Sequence, residues 1–189
     1  MRKIRIFEHI SLDGVIEHDK NYAYGAWTAP YRTPDGLAML LAAYGNGFDL
    51  LIGRRTYDEW LGYWPDAGDF PMANAINAAT KYVVTHRPES LKWGPVIDLR
   101  EDFIGELRKL KLTDGPGLVV SGSISLTPLL LEAGLIDEVI LIIYPLLLGK
   151  GKRLLSDNFD ARELEFVSTL TTPTGVLLNT YKHLGSLKK

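Results

Sequence analysis

The sequence predicts one α/β domain: a mixed, mostly parallel sheet flanked by helices and ending in an antiparallel hairpin. Three observations carry this. Apolar runs of strand length alternate with segments of helical periodicity, which implies parallel strands joined by right-handed crossovers. Two of those runs, Phe48 to Ile52 and Leu118 to Ser121, lead directly into helix starts rich in glycine and small or basic residues. The tail holds two strand-like runs around Thr172-Pro173-Thr174-Gly175, whose residues suit a turn. At 189 residues the chain can build one sizeable core without disulfides or metal.

In chain order, Lys3 to Ile10 reads as a strand, followed by a loop at Ser11-Leu12-Asp13-Gly14. Asn21 to Pro34 is aromatic and irregular, a loop over a pocket. Asp35 to Tyr44 is a helix stopped by Gly45-Asn46-Gly47. After the strand Phe48 to Ile52, a short helix covers Thr56 to Tyr63, and another covers Met72 to Ala79. Lys81 to Thr85 and Val96 to Leu99 are strands. Glu101 to Leu112 repeats apolar residues at helical spacing through Phe103, Ile104, Leu107 and Leu110. The strand Leu118 to Ser121 precedes a helix from Ser125 to Ala133 that Gly134 stops. Glu138 to Tyr144 is a strongly apolar strand. Leu164 to Leu170 and Val176 to His183 form the hairpin.

Several function classes fall away on composition. A formal net charge of −2, with Lys and Arg dispersed, leaves no basic stripe for nucleic acid. The absence of cysteine excludes disulfides, thiolate metal sites and cysteine nucleophiles. His9, His18, His86 and His183 have no metal-ligand spacing, so no metal is expected. Arg5, Glu8 and His9 interrupt the first apolar stretch, which is no signal peptide, and the longest apolar run is too short to span a membrane. The expected location is the cytoplasm.

The chemistry concentrates at strand ends. A helix start leaves N–H groups unpaired and carries partial positive charge, so it suits phosphate. Gly53-Arg54-Arg55-Thr56 adds two guanidinium groups and a hydroxyl. Gly122-Ser123-Ile124-Ser125-Leu126 adds small residues. Taken alone, the first is more often a plain turn with solvated arginines, and the second an N-cap with close packing. Together they suit a ligand with several phosphates, such as a dinucleotide. No G-x-G-x-x-G fingerprint is present. Gly149-Lys150-Gly151-Lys152 reads as a basic surface turn, and Asp13-Gly14 as either a loop carboxylate with a function or an ordinary turn. Asp35 is either a ligand or a helix cap. Trp27, Tyr57, Trp60 and Trp64 either line a flat-ring pocket or fill the core.

Read in order, Ser11 to Ile16, Leu50 to Tyr57, Asn77 to Thr85, Val119 to Ser123, Leu129 to Glu138 and Tyr144 to Leu155 resemble the dihydrofolate reductase-like superfamily. The resemblance is closest to the reductase domain of bacterial riboflavin biosynthesis and its stand-alone relatives. It implies a three-layer fold and NADPH-dependent reduction of a heterocyclic, pyrimidine-like or pterin-like substrate. The aminouracil ribosyl phosphate of riboflavin biosynthesis is the first compound to try. The cofactor site then falls on Gly53, Arg54, Arg55 and Thr56, on Thr85, His86 and Arg87, and on Gly122, Ser123, Ile124, Ser125 and Leu126. The substrate pocket falls on Ser11, Asp13, Gly14, Trp27, Asp35 and Tyr57, with Asp13 or an ordered water as proton donor. Where dihydrofolate reductases have consecutive glycines, this chain has Gly122-Ser123-Ile124, which agrees better with the stand-alone relatives.

Hydride chemistry belongs to the cofactor, so a sparse site without nucleophile or metal is expected. A nucleotide- or flavin-binding module without turnover is the alternative, because a fold does not guarantee chemistry. Arg54, Arg55, His86 and Arg87, with no acidic residue among them, predict at least a tenfold preference for NADPH over NADH, by charge-assisted bonds worth roughly 1.5–3 kcal/mol to the 2′-phosphate. Val139 to Tyr144, apolar on both faces, is either a central strand or a surface covered by a second copy. The resemblance favours a homodimer.

Overall fold

The computed structural model describes residues 1–18, 21–100, 102–155 and 158–188. Glu101, which opens the helix expected over 101–112, lies outside them. Eight strands form one sheet in the order β4-β3-β2-β5-β1-β6-β8-β7. They are β1 (Ile4–Ser11), β2 (Phe48–Gly53), β3 (Lys81–Val84), β4 (Val96–Leu99), β5 (Gly117–Val120), β6 (Glu138–Tyr144), β7 (Arg162–Thr171) and β8 (Leu177–Ser186). The helices are α1 (Pro34–Tyr44), α2 (Arg54–Leu61), α3 (Pro71–Ala78), α4 (Phe103–Lys111) and α5 (Leu126–Glu132). The first six strands pair in parallel, with Ile6 opposite both Val120 of β5 and Val139 of β6. The hairpin enters reversed: β8 pairs antiparallel with β6, and β7, first in the chain, ends outermost.

The alternation of side chains along each strand builds a core on both faces. Phe7, Leu50, Ile52 and Val119 pack with Tyr44, Tyr57, Met72 and Ile76 from α1, α2 and α3. Ile4, Ile6, Leu51 and Val120 pack on the other face with Leu107 of α4 and Leu130 of α5. Three layers result, as expected. Helix ends differ from the sequence reading by a residue or two, the usual scatter at frayed termini. The sequence places α1 well: the Thr33 side chain accepts the Gly36 N–H, and Pro34 sits in the first turn, where its missing N–H costs nothing.

Val139 to Tyr144 is a central strand between β1 and β8, with Val139, Ile140 and Ile142 buried and Leu141 and Ile143 half-buried. Exposed apolar residues stand on the hairpin: Leu164 and Phe166 share one face of β7, and the bulge between Phe166 and Ser168 turns Leu170 to the other.

Buried polar groups at the N-terminal edge of the sheet serve the fold. Arg2 pairs with Asp49 and donates to Tyr82 Oη (3.1 Å). Lys81 is fully buried and donates to the Asn77 carbonyl (2.7 Å), with its ammonium 4.3 Å from the Trp93 ring centroid. Burial lowers the Lys81 pKa to about 8. Among the described residues, no helix is long and apolar enough to cross a membrane.

Candidate active site

The parallel strands end on the opposite edge. From β1 the chain crosses to β2, leaving a gap that β5 later fills, while β6 takes the other flank. The carboxyl ends at such a reversal of strand order form the ligand crevice of open α/β sheets. The turns after β1, β2, β3 and β5, which hold nearly every predicted site residue, all open there.

The two helix starts form one hydrogen-bonded unit. The Ser123 hydroxyl accepts the Gly53 N–H (2.9 Å) and donates to the Ser121 carbonyl (3.1 Å). Thr56, buried, donates from Oγ1 to the Gly122 carbonyl (3.2 Å) and lies 3.3 Å from Ser123 Oγ. Gly122 adopts φ +62°, and a Cβ there would stand 3.3 Å from Thr56 Cγ2. Only glycine fits without strain. The Gly122 N–H donates to both carboxyl oxygens of Glu8, at 2.8 and 3.1 Å. Leu126 is buried beside Gly53 and packs on the α5 face of the sheet. Ile124 is half-buried and Ser125 exposed, without a side-chain cap on α5.

The expected cations are arranged differently from their sequence reading. An acidic residue does stand among them. Arg54 Nε donates to both oxygens of Asp58 (2.8 and 2.9 Å), one helical turn on, and Arg87 Nη2 lies 3.6 Å from the same carboxylate. Arg54 Nη1 also donates to the Arg87 carbonyl (2.9 Å) and Ser90 Oγ (2.6 Å), which ties α2 to the turn after β3. Two guanidiniums thus share one counter-charge. Arg55 is exposed and pairs with Glu59 (2.8 Å). Thr85 is buried, its hydroxyl accepting the Arg87 N–H (3.0 Å). With His86, Pro88, Arg100, Asp102 and Glu106 it lines a groove of about 740 Å³ beside the cluster.

The turn after β1 corrects the role of Asp13. Its carboxylate accepts the Ser11 hydroxyl (2.6 Å), the Leu148 N–H (3.0 Å) and the Gly149 N–H (2.7 Å). The Ser11 bond first, and then the Leu148 amide, hold its pKa down to about 2. An anion so placed has no proton to give at neutral pH. It pins the turn after β6 instead. Gly149 to Lys152 is accordingly more than a surface turn: a Cβ on Gly151 would stand 2.6 Å from Val15. A smaller cavity of about 250 Å³ beside it is lined by Ile10, Gly14, Arg153, Leu154 and Leu155.

Trp27 belongs to this end of the site. Buried, it meets Tyr144 edge-on at 5.1 Å between centroids and donates to the Glu17 carbonyl (2.8 Å). Tyr31 meets the same ring at 5.6 Å, and Tyr144 Oη bonds His9 Nδ1 (2.8 Å). Burial lowers the His9 pKa to about 4, helped by His18 and Arg32, and raises that of Tyr144 to about 12. Both are uncharged at neutral pH.

Two expected pocket residues lie elsewhere. Tyr57 is fully buried in the core, its hydroxyl accepting the Lys92 and Trp93 N–H groups (2.8 and 2.6 Å). Asp35 is exposed in the first turn of α1, where Thr33 does the capping. Sequence reasoning missed Glu8, Asp58, His9 and Tyr144. Asp58 carried a signal, the i,i+4 spacing from Arg54. Glu8 carried another, a carboxylate inside a strand otherwise buried.

The comparisons agree with this architecture. The family model for the RibD C-terminal domain matches residues 2–178. The uncharacterized protein YyaP of Bacillus subtilis (strain 168) is 30% identical over 185 residues, covering 95% of this chain and 94% of that protein. Among solved structures, a Shewanella sp. PV-4 protein named for riboflavin biosynthesis superposes with TM-score 0.71 at 20% identity, over 96% of this chain and 98% of that one. A pyrimidine reductase-like protein of Corynebacterium diphtheriae gives 0.66 at 13% identity, over 97% and 92%. Dihydrofolate reductase of Enterococcus faecalis, complexed with NADP(H) and RAB-propyl, gives 0.60 at 15% identity, over 96% and 94%. At such identities the solved structures show the fold alone, which is dihydrofolate reductase-like. With the match spanning nearly its whole length, the chain belongs to the RibD C-terminal domain family, a reductase-type family.

Proposed function

We propose that the protein is an NADPH-dependent reductase of a heterocyclic, pyrimidine-like or pterin-like compound. The observation that carries this is the joining of the β2 and β5 turns into one cradle on the ligand edge of the sheet. The cradle fits a dinucleotide: a side chain at Gly122 would fill it, and the first-turn amides of α2 receive no side-chain cap from Gly53. Those amides and the Ser123 turn would hold the pyrophosphate. Arg54, His86 and Arg87 would face the ribose phosphate. Once bound, the nicotinamide supplies hydride. The chain's own work is orientation, exclusion of water by Trp27 and Tyr31, and delivery of a proton. In this reading the proton comes from an ordered water in the pocket, because Asp13 is held ionised and His9 and Tyr144 are held uncharged at neutral pH. The cytoplasm is the compartment this reading needs.

Titration with NADPH, read by tryptophan quenching, followed by NADPH absorbance with a panel of pyrimidines and pterins, tests the reading. The aminouracil ribosyl phosphate comes first in that panel. Binding with no oxidation for any compound means a binding module without turnover. Asp58 neutralises part of the cation cluster, so the preference for NADPH over NADH is expected near fivefold rather than tenfold, about 1 kcal/mol. Arg54→Ala should abolish that preference and leave NADH binding unchanged. Equal affinity for both cofactors in the unmodified protein contradicts it.

The reading includes a homodimer. Leu164 and Phe166 form an exposed apolar pair on one face of the outermost strand, which a second copy would cover. Light scattering at micromolar protein should give twice the 21.1 kDa chain mass, and Phe166→Asp should return it to one. A monomer mass for the unmodified protein rules the dimer out.

A further inference from the structure

Among the described residues, Glu8 is the carboxylic side chain that bonds the Gly122 turn of the cradle from beneath. Its position follows from register. Ile6 lies opposite Val120, so two residues on, Glu8 meets the backbone as β5 turns away at Gly122. The residue is 5% exposed, and both its oxygens take the Gly122 N–H. The carbonyl of that glycine takes the Thr56 hydroxyl, and Thr56 lies beside Ser123, which holds the Gly53 amide. A continuous chain of contacts thus runs from the Glu8 carboxyl through both turns.

Resting on the dinucleotide reading above, we propose that Glu8 is the positioning residue of the cradle. It fixes the Gly122 peptide, and the charge on its carboxyl sets how strongly the cradle takes a polyphosphate. A neutral carboxyl accepts the Gly122 N–H and presents no charge to an incoming anion. An ionised one holds the same N–H and repels a phosphate bound on the other side of that peptide. The surroundings favour the neutral form. Burial raises the Glu8 pKa to about 8, against the single opposing influence of the Gly122 N–H. Its register partner on β6, Leu141, is apolar. Tyr44, at the end of α1, is the other titratable group it acts on: burial and Glu8 push that phenol up, while Arg5 pulls it down. The Arg5 guanidinium is committed to the Ala43 and Tyr44 carbonyls, at 2.9 Å each. Binding of an anion should therefore keep the proton on Glu8 and weaken as pH rises past its titration, by at most about tenfold per pH unit.

The test measures dissociation constants for NADPH and for inorganic sulfate at pH 7 and pH 9, where the NADPH phosphate monoester has passed its second ionisation near pH 6 and sulfate is a dianion throughout. The wild-type chain should bind both probes at least about fivefold more weakly at pH 9. Glu8→Gln keeps the acceptor for Gly122 and removes the charge, so it should bind them equally at both pH values. Glu8→Met removes acceptor and charge together. It should bind more weakly than Glu8→Gln at both pH values, without pH dependence, which separates positioning from charge. Matching pH dependence in wild type and Glu8→Gln overturns the inference and leaves the dinucleotide reading standing. Sulfate binding that follows this pattern without NADPH binding overturns the dinucleotide reading and supports Glu8. Failure of the wild-type chain to bind either probe at pH 7 overturns both.

Discussion

Replacing Gly122 by valine should weaken NADPH binding by at least thirtyfold, about 2 kcal/mol, while far-UV circular dichroism stays that of the folded chain. Gly122 holds φ +62°, where a β-branched residue is strained by about 1–3 kcal/mol. The first new atom already stands 3.3 Å from Thr56 Cγ2, and branching brings two more. The chain can relieve this only by moving the peptide away from Glu8 and Thr56. That movement parts the two turns, so a ligand spanning them must restore the strained geometry at its own expense. The fold should survive, because the turn lies beyond β5 and the core beneath it, Val119 and Val120, is untouched. Glycine at neighbouring Gly53 serves a different end: a Cβ there would meet only ordinary contacts, near 3.7 Å from Ser123 Oγ, so Gly53→Ala should bind NADPH almost normally. Equal losses at both positions would mean that the cradle is not where the ligand sits.

Most of the fold was legible because it rests on short-range patterns. The apolar runs gave the strands, and Gly45 and Gly134 marked helix ends. What depended on pairing was less legible. Val139 to Tyr144 is a central strand because β8 returns to pair with β6, which no pattern within the run itself records. The site divided the same way. Gly53, Thr56, Gly122 and Ser123 lie together because two strand-to-helix turns on adjacent strands must meet. The partners of charged groups were less predictable. Asp13 takes two amides that are 135 and 136 residues distant in the chain, and those bonds turn a proton donor into a fixed anion. Tyr57 follows Thr56 on α2 yet points into the core, where its hydroxyl holds the chain at Lys92 and Trp93. Glu8 read only as an interruption of an apolar strand. Its meaning lies in the β5 turn, which reaches it across 114 residues.

Glu8 should also leave a mark on stability that needs no ligand. The folded chain holds its proton up to about pH 8, whereas the unfolded chain releases it near 4.5. Between those values the folded state binds more protons, so stability falls as pH rises, by roughly 3–5 kcal/mol across the window. His9 works against it. Its pKa is lowered from 6.5 to about 4, so over that interval the unfolded state binds the extra proton and stability rises with pH. His18, lowered mainly by burial, has the same sign. From pH 4.5 to 6.5 the opposing slopes largely cancel. From 6.5 to 8 Glu8 acts alone, and unfolding free energy from urea titrations should drop by about 2 kcal/mol. Lys81, lowered to about 8 by burial, brings the opposite slope only at higher pH, so the measurement stops at pH 8. In Glu8→Gln the decline should vanish and the rise below pH 6.5 should stand uncovered, because the histidines remain. A variant that declines in parallel with wild type between pH 6.5 and 8 would assign the drop to another group and leave Glu8 ionised throughout.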